Sequence, residues 1–483
     1  MGLREQAAKG VLWSAVENGG STLCGAVVFL LLARLLEPEA FGLLAMAMAC
    51  IAIVEIVLKH GLAQALIQRE TLEPEHLDIA FWASALIGTV LCVAGIAVAV
   101  LISDIFGEPR LAPVLRWLAL SPLISAFGST QQAILQRRFA FKSLAIRSLA
   151  ATICGGAVGV GMALFGFGVW SLVGQMLTVG LVKTITLWMI SDWRPACKAS
   201  WRHFKELIAF GASIMGAEAL IVLNGRVPDL LIGFFLGPVL LGYYTVGFQF
   251  IGVIIYVLTQ AVATVALPTF SRLQHDAVQM RNAFSTATQI SCLVGFPFFC
   301  GTLAIAPQLV DVVLGDKWGQ SAPVLRVLAL VGVLQAVLYF NRSVIMAAGK
   351  PSWVLQLTFV NVVTNILVIA LVVRWGIVAV AVAVVVRGWV FAPLSLWLVQ
   401  KVIHLKPIAI LKLGAIPLLG SCVLMLSVFA TGVVLPETVG PVARLSACIL
   451  VGGTVYVGVI MVAAPSLVAK TRELLRLVLA RPQ

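Results

Sequence analysis

Charge is what this sequence has least of. Only 11% of its 483 residues are Asp, Glu, Lys or Arg, against about a quarter in soluble domains. Acidic residues are the rarer sign, 20 against 33 basic ones. A chain this poor in charge, 61% hydrophobic and of mean hydropathy +1.06, lies outside the soluble globular class. Catalytic signatures are missing too. No GxxxxGK loop followed by Ser or Thr is present, which argues against ATP hydrolysis by this chain. The five histidines (60, 76, 203, 275, 404) are scattered, with no HExxH spacing. Nine cysteines form no CxxC pair and mostly sit inside apolar runs. They read as small packing residues, so neither disulfides nor a metal site is expected. The loops are short on both sides: the inner ones cannot hold a glycosyltransferase domain, nor the outer ones the chemistry of a polymerase or ligase. No catalytic residue, cofactor or enzyme activity is expected.

Long apolar runs are what the chain does have. They are continuous rather than alternating and about the ~20 residues needed to cross a bilayer as helices, which favours helices over barrel strands. The expected fold is an all-α polytopic membrane protein of about fourteen transmembrane helices. They lie near 11–36, 40–62, 79–104, 112–135, 144–165, 169–190, 207–235, 239–268, 283–314, 321–347, 352–373, 376–400, 408–434 and 442–465. The basic start (Arg4, Lys9) runs into a first segment too long for a cleavable signal peptide. Lys and Arg concentrate in alternate loops, including Arg137, Arg138, Lys142 and Arg147 after the fourth helix. The other side holds Arg34, Arg110, Lys317 and Arg374. That asymmetry places both termini in the cytoplasm and accounts for the +13 charge without a nucleic-acid partner.

An internal repeat is visible. APVLRWLAL at Ala112–Leu120 returns as APVLRVLAL at Ala322–Leu330, and Pro38 with Gly42 is echoed by Pro238 with Gly242. The shifts, 210 and 200, bracket six helices, an even number that preserves orientation. The expected organisation is an N-lobe at 1–206, a C-lobe at 207–404, and helices 13–14 with a basic tail at 405–483. Two pseudo-symmetric six-helix lobes would face each other across a cleft.

Ionisable side chains at the bilayer centre cost on the order of 3 kcal/mol or more, so each needs a partner, a cavity or a route outward. Candidates are Glu17 and Asn18 in helix 1, Glu55 and Lys59 in helix 2, and Lys183 in helix 6. Helix 7 has Glu218, Asn224, Arg226 and Asp229; helix 10 has Asn341 and Arg342; helix 12 has Arg387. Glu55/Lys59 and Arg226/Asp229 are spaced for local ion pairs that would merely neutralise charge, and Lys59 and Arg342 could snorkel. Arg387 has no acidic residue within four positions. Arg116 and Arg326 read as interfacial anchors. Pro228 is placed to break helix 7 and release backbone carbonyls.

Several stretches carry a resemblance: KGVLWSA (Lys9–Ala15), LLARLLEPEAFGLLAMA (Leu31–Ala47), GLAQALIQR (Gly61–Arg69), PDLLIGFFLGPVLLGYYTVGFQF (Pro228–Phe250), LPTFSRLQ (Leu267–Gln274), LGDKWGQSAPVLRVLAL (Leu314–Leu330) and MAAGKPSW (Met346–Trp353). They resemble the Wzx polysaccharide flippases, in the branch of colanic-acid and succinoglycan exporters, over helices 1–12. The resemblance implies the multidrug/oligosaccharidyl-lipid/polysaccharide exporter fold and alternating access. It also implies undecaprenyl-diphosphate-linked oligosaccharide as substrate, a bacterial inner-membrane location, and a polymerase and chain-length regulator as partners. For an anionic diphosphate the available cations are Lys59, Lys183, Arg226 and Arg387, with Asn224 beside them. Asp229 matches the acidic position of the family's helix-7 pattern. Glu17, Glu55, Glu218 and Asp229 are the candidates for H+ or Na+ coupling. A drug antiporter and a lipid II flippase remain alternatives on the same fold.

Overall fold

In the computed structural model, residues 3–57, 62–69, 72–196, 201–272, 276–436, 438–465 and 467 are described. They form helices and turns, with no strand among them. The helices are α1 (Leu3–Leu35), α2 (Pro38–Val57), α3 (Ala63–Gln68), α4 (Pro74–Phe106), α5 (Leu111–Leu118), α6 (Leu120–Arg137), α7 (Phe141–Leu164), α8 (Val169–Ile190) and α9 (Trp201–Arg272). Then come α10 (Ala277–Leu314), α11 (Ser321–Leu338), α12 (Asn341–Ala347), α13 (Pro351–Val372), α14 (Ile377–Ile403), α15 (Pro407–Leu413), α16 (Ala415–Val434) and α17 (Pro441–Ala463).

Among the described residues, eleven stretches are long and apolar enough to span a membrane, and Gly19–Leu35 and Pro38–Ile53 are shorter apolar helices. One of the eleven, Glu218–Tyr256, is two crossings. Gly237 inside α9 takes φ 79°, ψ 179°, a backbone that only a residue without Cβ adopts at little cost. Pro238 then restarts the helix from a φ already suited to it. Among the described residues, these spans and the two shorter helices together make the fourteen segments that the hydropathy pattern predicts, and the chain is a multi-pass membrane protein. Leu371 and Val462 are three-quarters or more exposed, as lipid-facing residues should be.

The chain divides into two compact units: residues 1–246 with 358–377, and 247–357 with 378–483. In the first, α7 is the central element. A Cβ on Gly156 would lie 2.5 Å from Val28 Cγ2, and one on Gly155 would collide with Val179 of α8. The glycine face of α7 thus lets α1 and α8 approach closely on either side, the usual small-residue packing of membrane helices. In the second unit, Phe270, Phe284, Phe296, Phe299 and Phe340 build an aromatic core with Ile403 and Ile410. Helices α16 and α17, which fall outside the repeat, lie against α10. Tyr456 Oη donates to the Leu293 carbonyl at 2.6 Å.

The repeated Pro/Gly turns meet inside the first unit. A Cβ on Gly42 would overlap the carbonyl of Pro238, and a Cβ on Gly242 would overlap the carbonyl of Pro38. Each copy packs its glycine on the other copy's proline. Such reciprocity is the mark of a local two-fold relation between these turns.

Candidate functional site

The site begins with α7. This helix starts at Phe141, and Arg147, counted with the inner-loop cations although the helix expected near 144–165 spans it, sits 5% exposed in its second turn. That corrects its place among the inner-loop charges. A buried guanidinium needs acceptors. Arg147 Nη1 donates to Gln132 Oε1 at 3.1 Å, and Nη2 lies 3.7 Å from Glu17 Oε1. Ser148 Oγ holds the same Glu17 oxygen at 2.7 Å. The Arg147 Nε proton is buried with no acceptor. Glu17, a coupling candidate from the sequence, is therefore joined to a cation that sequence reasoning had assigned elsewhere.

Arg147 faces a cavity of about 530 Å³ between α2, α3, α6, α7 and α8. Glu55 and Lys183 line it as well, with Gln132, Gln136 and a ladder of hydroxyls at Ser121, Ser125 and Ser129. Glu55 is buried and accepts from Ser121 Oγ at 3.2 Å. The volume is that of a ligand site, and its walls mix two cations and one carboxylate with neutral donors inside the spanning region. Such walls are suited to an anionic or heavily hydroxylated group.

A second polar group lies on α9, in the same unit. Arg226 Nη1 meets Asp229 Oδ2 at 3.1 Å, the local pair its spacing allows. Pro228 does not break the helix, contrary to expectation: Gly237 is the non-helical residue within α9. Proline's fixed φ is compatible with helix, and what it removes is one N–H. The carbonyl orphaned by that loss is four residues back, at Asn224, and Asn365 Nδ2 of α13 donates to it at 2.9 Å. The side-chain oxygens of Asn224 and Asn365 are themselves buried without partners. Glu218 lies half-buried on the same helix, six residues before Asn224. None of these α9 residues lines the cavity of Glu55, Arg147 and Lys183. Arg387 sits half-buried in α14 of the second unit, where Asn341 Nδ2 donates to Ser395 Oγ at 2.8 Å. Lys59 lies outside the described residues. Arg147, Gln132 and Asn365 are the additions sequence reasoning missed; for Asn365 the signal is a second asparagine four residues after Asn361 in a largely apolar helix.

Glu73, His76 and His203 bring ligand atoms within 4.8 Å of one another, and so could be read as a metal site. Hydrogen bonding argues otherwise. His76 Nδ1 accepts from the Glu73 backbone N–H at 3.2 Å, closing a capping box at the start of α4. The neutral ring then keeps its proton on Nε2, which points at Glu206 from 3.6 Å. Metal ligation there would require Nδ1 to carry the proton and face another donor. Glu206 is also held by Arg69 at 2.6 Å and Arg202 at 3.1 Å. The cluster ties the start of α9 to the loop before α4.

Comparison with known proteins places this architecture. A family model described as Polysaccharide biosynthesis protein matches residues 31–323, more than half of the chain. The succinoglycan biosynthesis transport protein ExoT of Rhizobium meliloti is 29% identical over 67% of this chain, a match spanning just under two thirds (65%) of ExoT. The lipopolysaccharide biosynthesis protein WzxC of Escherichia coli is 26% identical over 84% of this chain and 82% of its own length. Among solved structures, the lipid II flippase MurJ in an inward closed conformation superposes with TM-score 0.77 at 13% identity, covering 95% of this chain and all of MurJ. An inward-facing MATE-family multidrug transporter gives 0.64 at 15%, over 83% of this chain and 96% of its own. At those identities the structures speak for the fold alone. The family match decides the rest: the chain belongs to the polysaccharide biosynthesis protein family.

Proposed function

We propose that this protein flips lipid-linked oligosaccharide repeat units, carried on undecaprenyl diphosphate, across the bacterial inner membrane by alternating access, for polysaccharide assembly outside. One observation carries the reading: a cavity of about 530 Å³ within the spanning helices, with Arg147 and Lys183 on its walls. A diphosphate is matched by a guanidinium fork and an ammonium where water is scarce. Hydroxyls of the sugar are matched by the serine ladder and by Gln132 and Gln136. The polyprenyl tail is as apolar as the bilayer and needs no lumen, so only the head group requires this space.

Around that core stand the further assignments. Arg226, Arg387, Lys59 and Asn224 serve the passage of the head group. Glu17, Glu55, Glu218 and Asp229 serve coupling to a proton or sodium gradient. Both termini face the cytoplasm, and a polymerase and a chain-length regulator receive the product. Membrane lipids surround it and nucleic acid plays no part.

The test is a strain lacking the gene. It should lose surface polymer and accumulate the lipid-linked repeat unit accessible only from the cytoplasm, while growing normally and keeping its drug resistance. Arrested wall synthesis would instead point to lipid II as substrate, and sensitivity to cationic dyes to a drug antiporter. Normal polymer in the deletion strain defeats the flippase assignment.

A further inference from the structure

The sequence contains no Asp or Glu between Asp316 and Glu437, although nine Lys and Arg fall within that stretch. Two of these cations meet in the second unit, where α13 begins and α14 ends. Lys350 immediately precedes α13, and its Nζ lies 4.1 Å from the Trp353 ring centre. Lys401 is in the last turn of α14, its Nζ 3.7 Å from Trp397 and 5.9 Å from Trp353. One indole therefore serves both lysines, and the ammonium groups are within about 10 Å of each other by these distances to that ring. Trp353 is held in place from below, because it packs with Val354 and Leu357 on the core of Phe340, Leu398 and Val399. A π face attracts a cation but cannot neutralise it. The two lysines share that indole, with no carboxylate on either helix.

The surface next to them is apolar. Val390, Leu394, Trp397 and Lys401 follow one another at i, i+4, i+7 and i+11, a single face of α14. Val390 is 67%, Leu394 40% and Trp397 45% exposed. A stripe of that kind, ending in an indole and a lysine, is complementary to a molecule with an anionic head and a hydrocarbon body. A free anion would use only its last residue.

We propose that Lys350, Lys401, Trp353 and Trp397 form a binding site for the phosphate head group of an anionic phospholipid, its acyl chains lying along Leu394 and Val390. The site faces the cytoplasmic leaflet, and this rests on the orientation given above. The lipid pins the start of α13 and the end of α14 to that leaflet.

The experiment uses the full chain, purified in neutral detergent, and reads thermal unfolding with added dioleoylphosphatidylglycerol, dioleoylphosphatidylcholine, undecaprenyl phosphate or inorganic phosphate. Phosphatidylglycerol should raise the unfolding temperature by several degrees in a saturable way, and the other three should not. In the K350Q/K401Q variant that shift should fall at least about fivefold, with the lipid-free unfolding temperature unchanged, and K412Q should keep it. An equal shift with phosphatidylcholine or inorganic phosphate, a larger one with undecaprenyl phosphate, or full retention in K350Q/K401Q would each overturn the proposal. A double variant too unstable to purify is replaced by W397L, which removes the exposed ring and should weaken the same shift. No arm reads transport, so failure of the flippase assignment would leave this result standing.

Discussion

A guanidinium buried in a membrane helix is stable only while its protons have acceptors, and Arg147 finds them in Gln132 and Glu17. Removing one member of a buried pair strands the other, at about 3–5 kcal/mol. R147A should therefore lower both folded yield and export. The E17Q/R147M double variant leaves no stranded charge. It should recover most of the folded yield, read by fluorescence-detected size exclusion, while polymer export stays at least about tenfold down. Recovery of export together with yield would make Arg147 a structural residue and remove it from the site. Its role was hidden in the sequence for a physical reason. Arg147 stands at the inner end of a helix expected near 144–165, close to Arg137, Arg138 and Lys142, and positive-inside counting grouped it with those loop cations. Such a count does not show which helices a guanidinium packs against. Glu17, Glu55 and Lys183, set within unbroken apolar runs, were legible because nothing else explains a charge there.

Elements carry a second layer that no single residue shows. Pro228 withholds one N–H from α9, and Asn365 on α13 makes good the loss at the Asn224 carbonyl. An unsatisfied buried carbonyl costs about 1–3 kcal/mol, so N365V should destabilise by that order in the natural background. In P228A the helix supplies its own N–H, and N365V should then cost about half as much or less; equal costs in both backgrounds would show that the amide acts elsewhere. The turns at Pro38/Gly42 and Pro238/Gly242 make a sharper demand, since each glycine faces a carbonyl that cannot yield without moving a helix. G42A and G242A should each lower thermal stability by about 1–3 kcal/mol, and G42S no less. These glycines were visible in the sequence as an echo, but their mutual contact was not, because a repeat states similarity and not proximity. At the start of α9, hydrogen bonds from Arg69 and then Arg202 pull the Glu206 carboxyl from 4.5 down to about 2. A depressed carboxylate stabilises fully above its unfolded value and loses the contribution as pH falls toward its folded one. Hydrogen-exchange protection of residues 201–207, corrected for intrinsic rate, should thus be flat from pH 5 to 8, and E206Q should lower it throughout.

At the scale of the molecule, the apolar crossings were readable because bilayer physics writes them into composition, as runs of fixed length punctuated by glycine and proline. The pairing of polar groups between helices was not readable, since it depends on which helices touch. That pairing suggests how an ion gradient and an anionic substrate could act on one another. Under the proposed function an incoming diphosphate would seek Arg147 as Glu17 does, so substrate binding would compete with the Glu17 contact, and a ligand can shift a conformational equilibrium only through such differential interactions. If the competition is the coupling step, E17Q should bind the head group at least as tightly as the natural protein. It should also flip substrate at a rate no longer sensitive to the gradient. In proteoliposomes, collapsing the proton gradient should slow the natural protein several-fold and leave E17Q unchanged. Sodium removal distinguishes the other ion. Equal rates for the natural protein with ionophore and without sodium would exclude coupling through this carboxylate. Arg147 would then act only as a fixed charge, with the downhill consumption of product outside the membrane supplying direction.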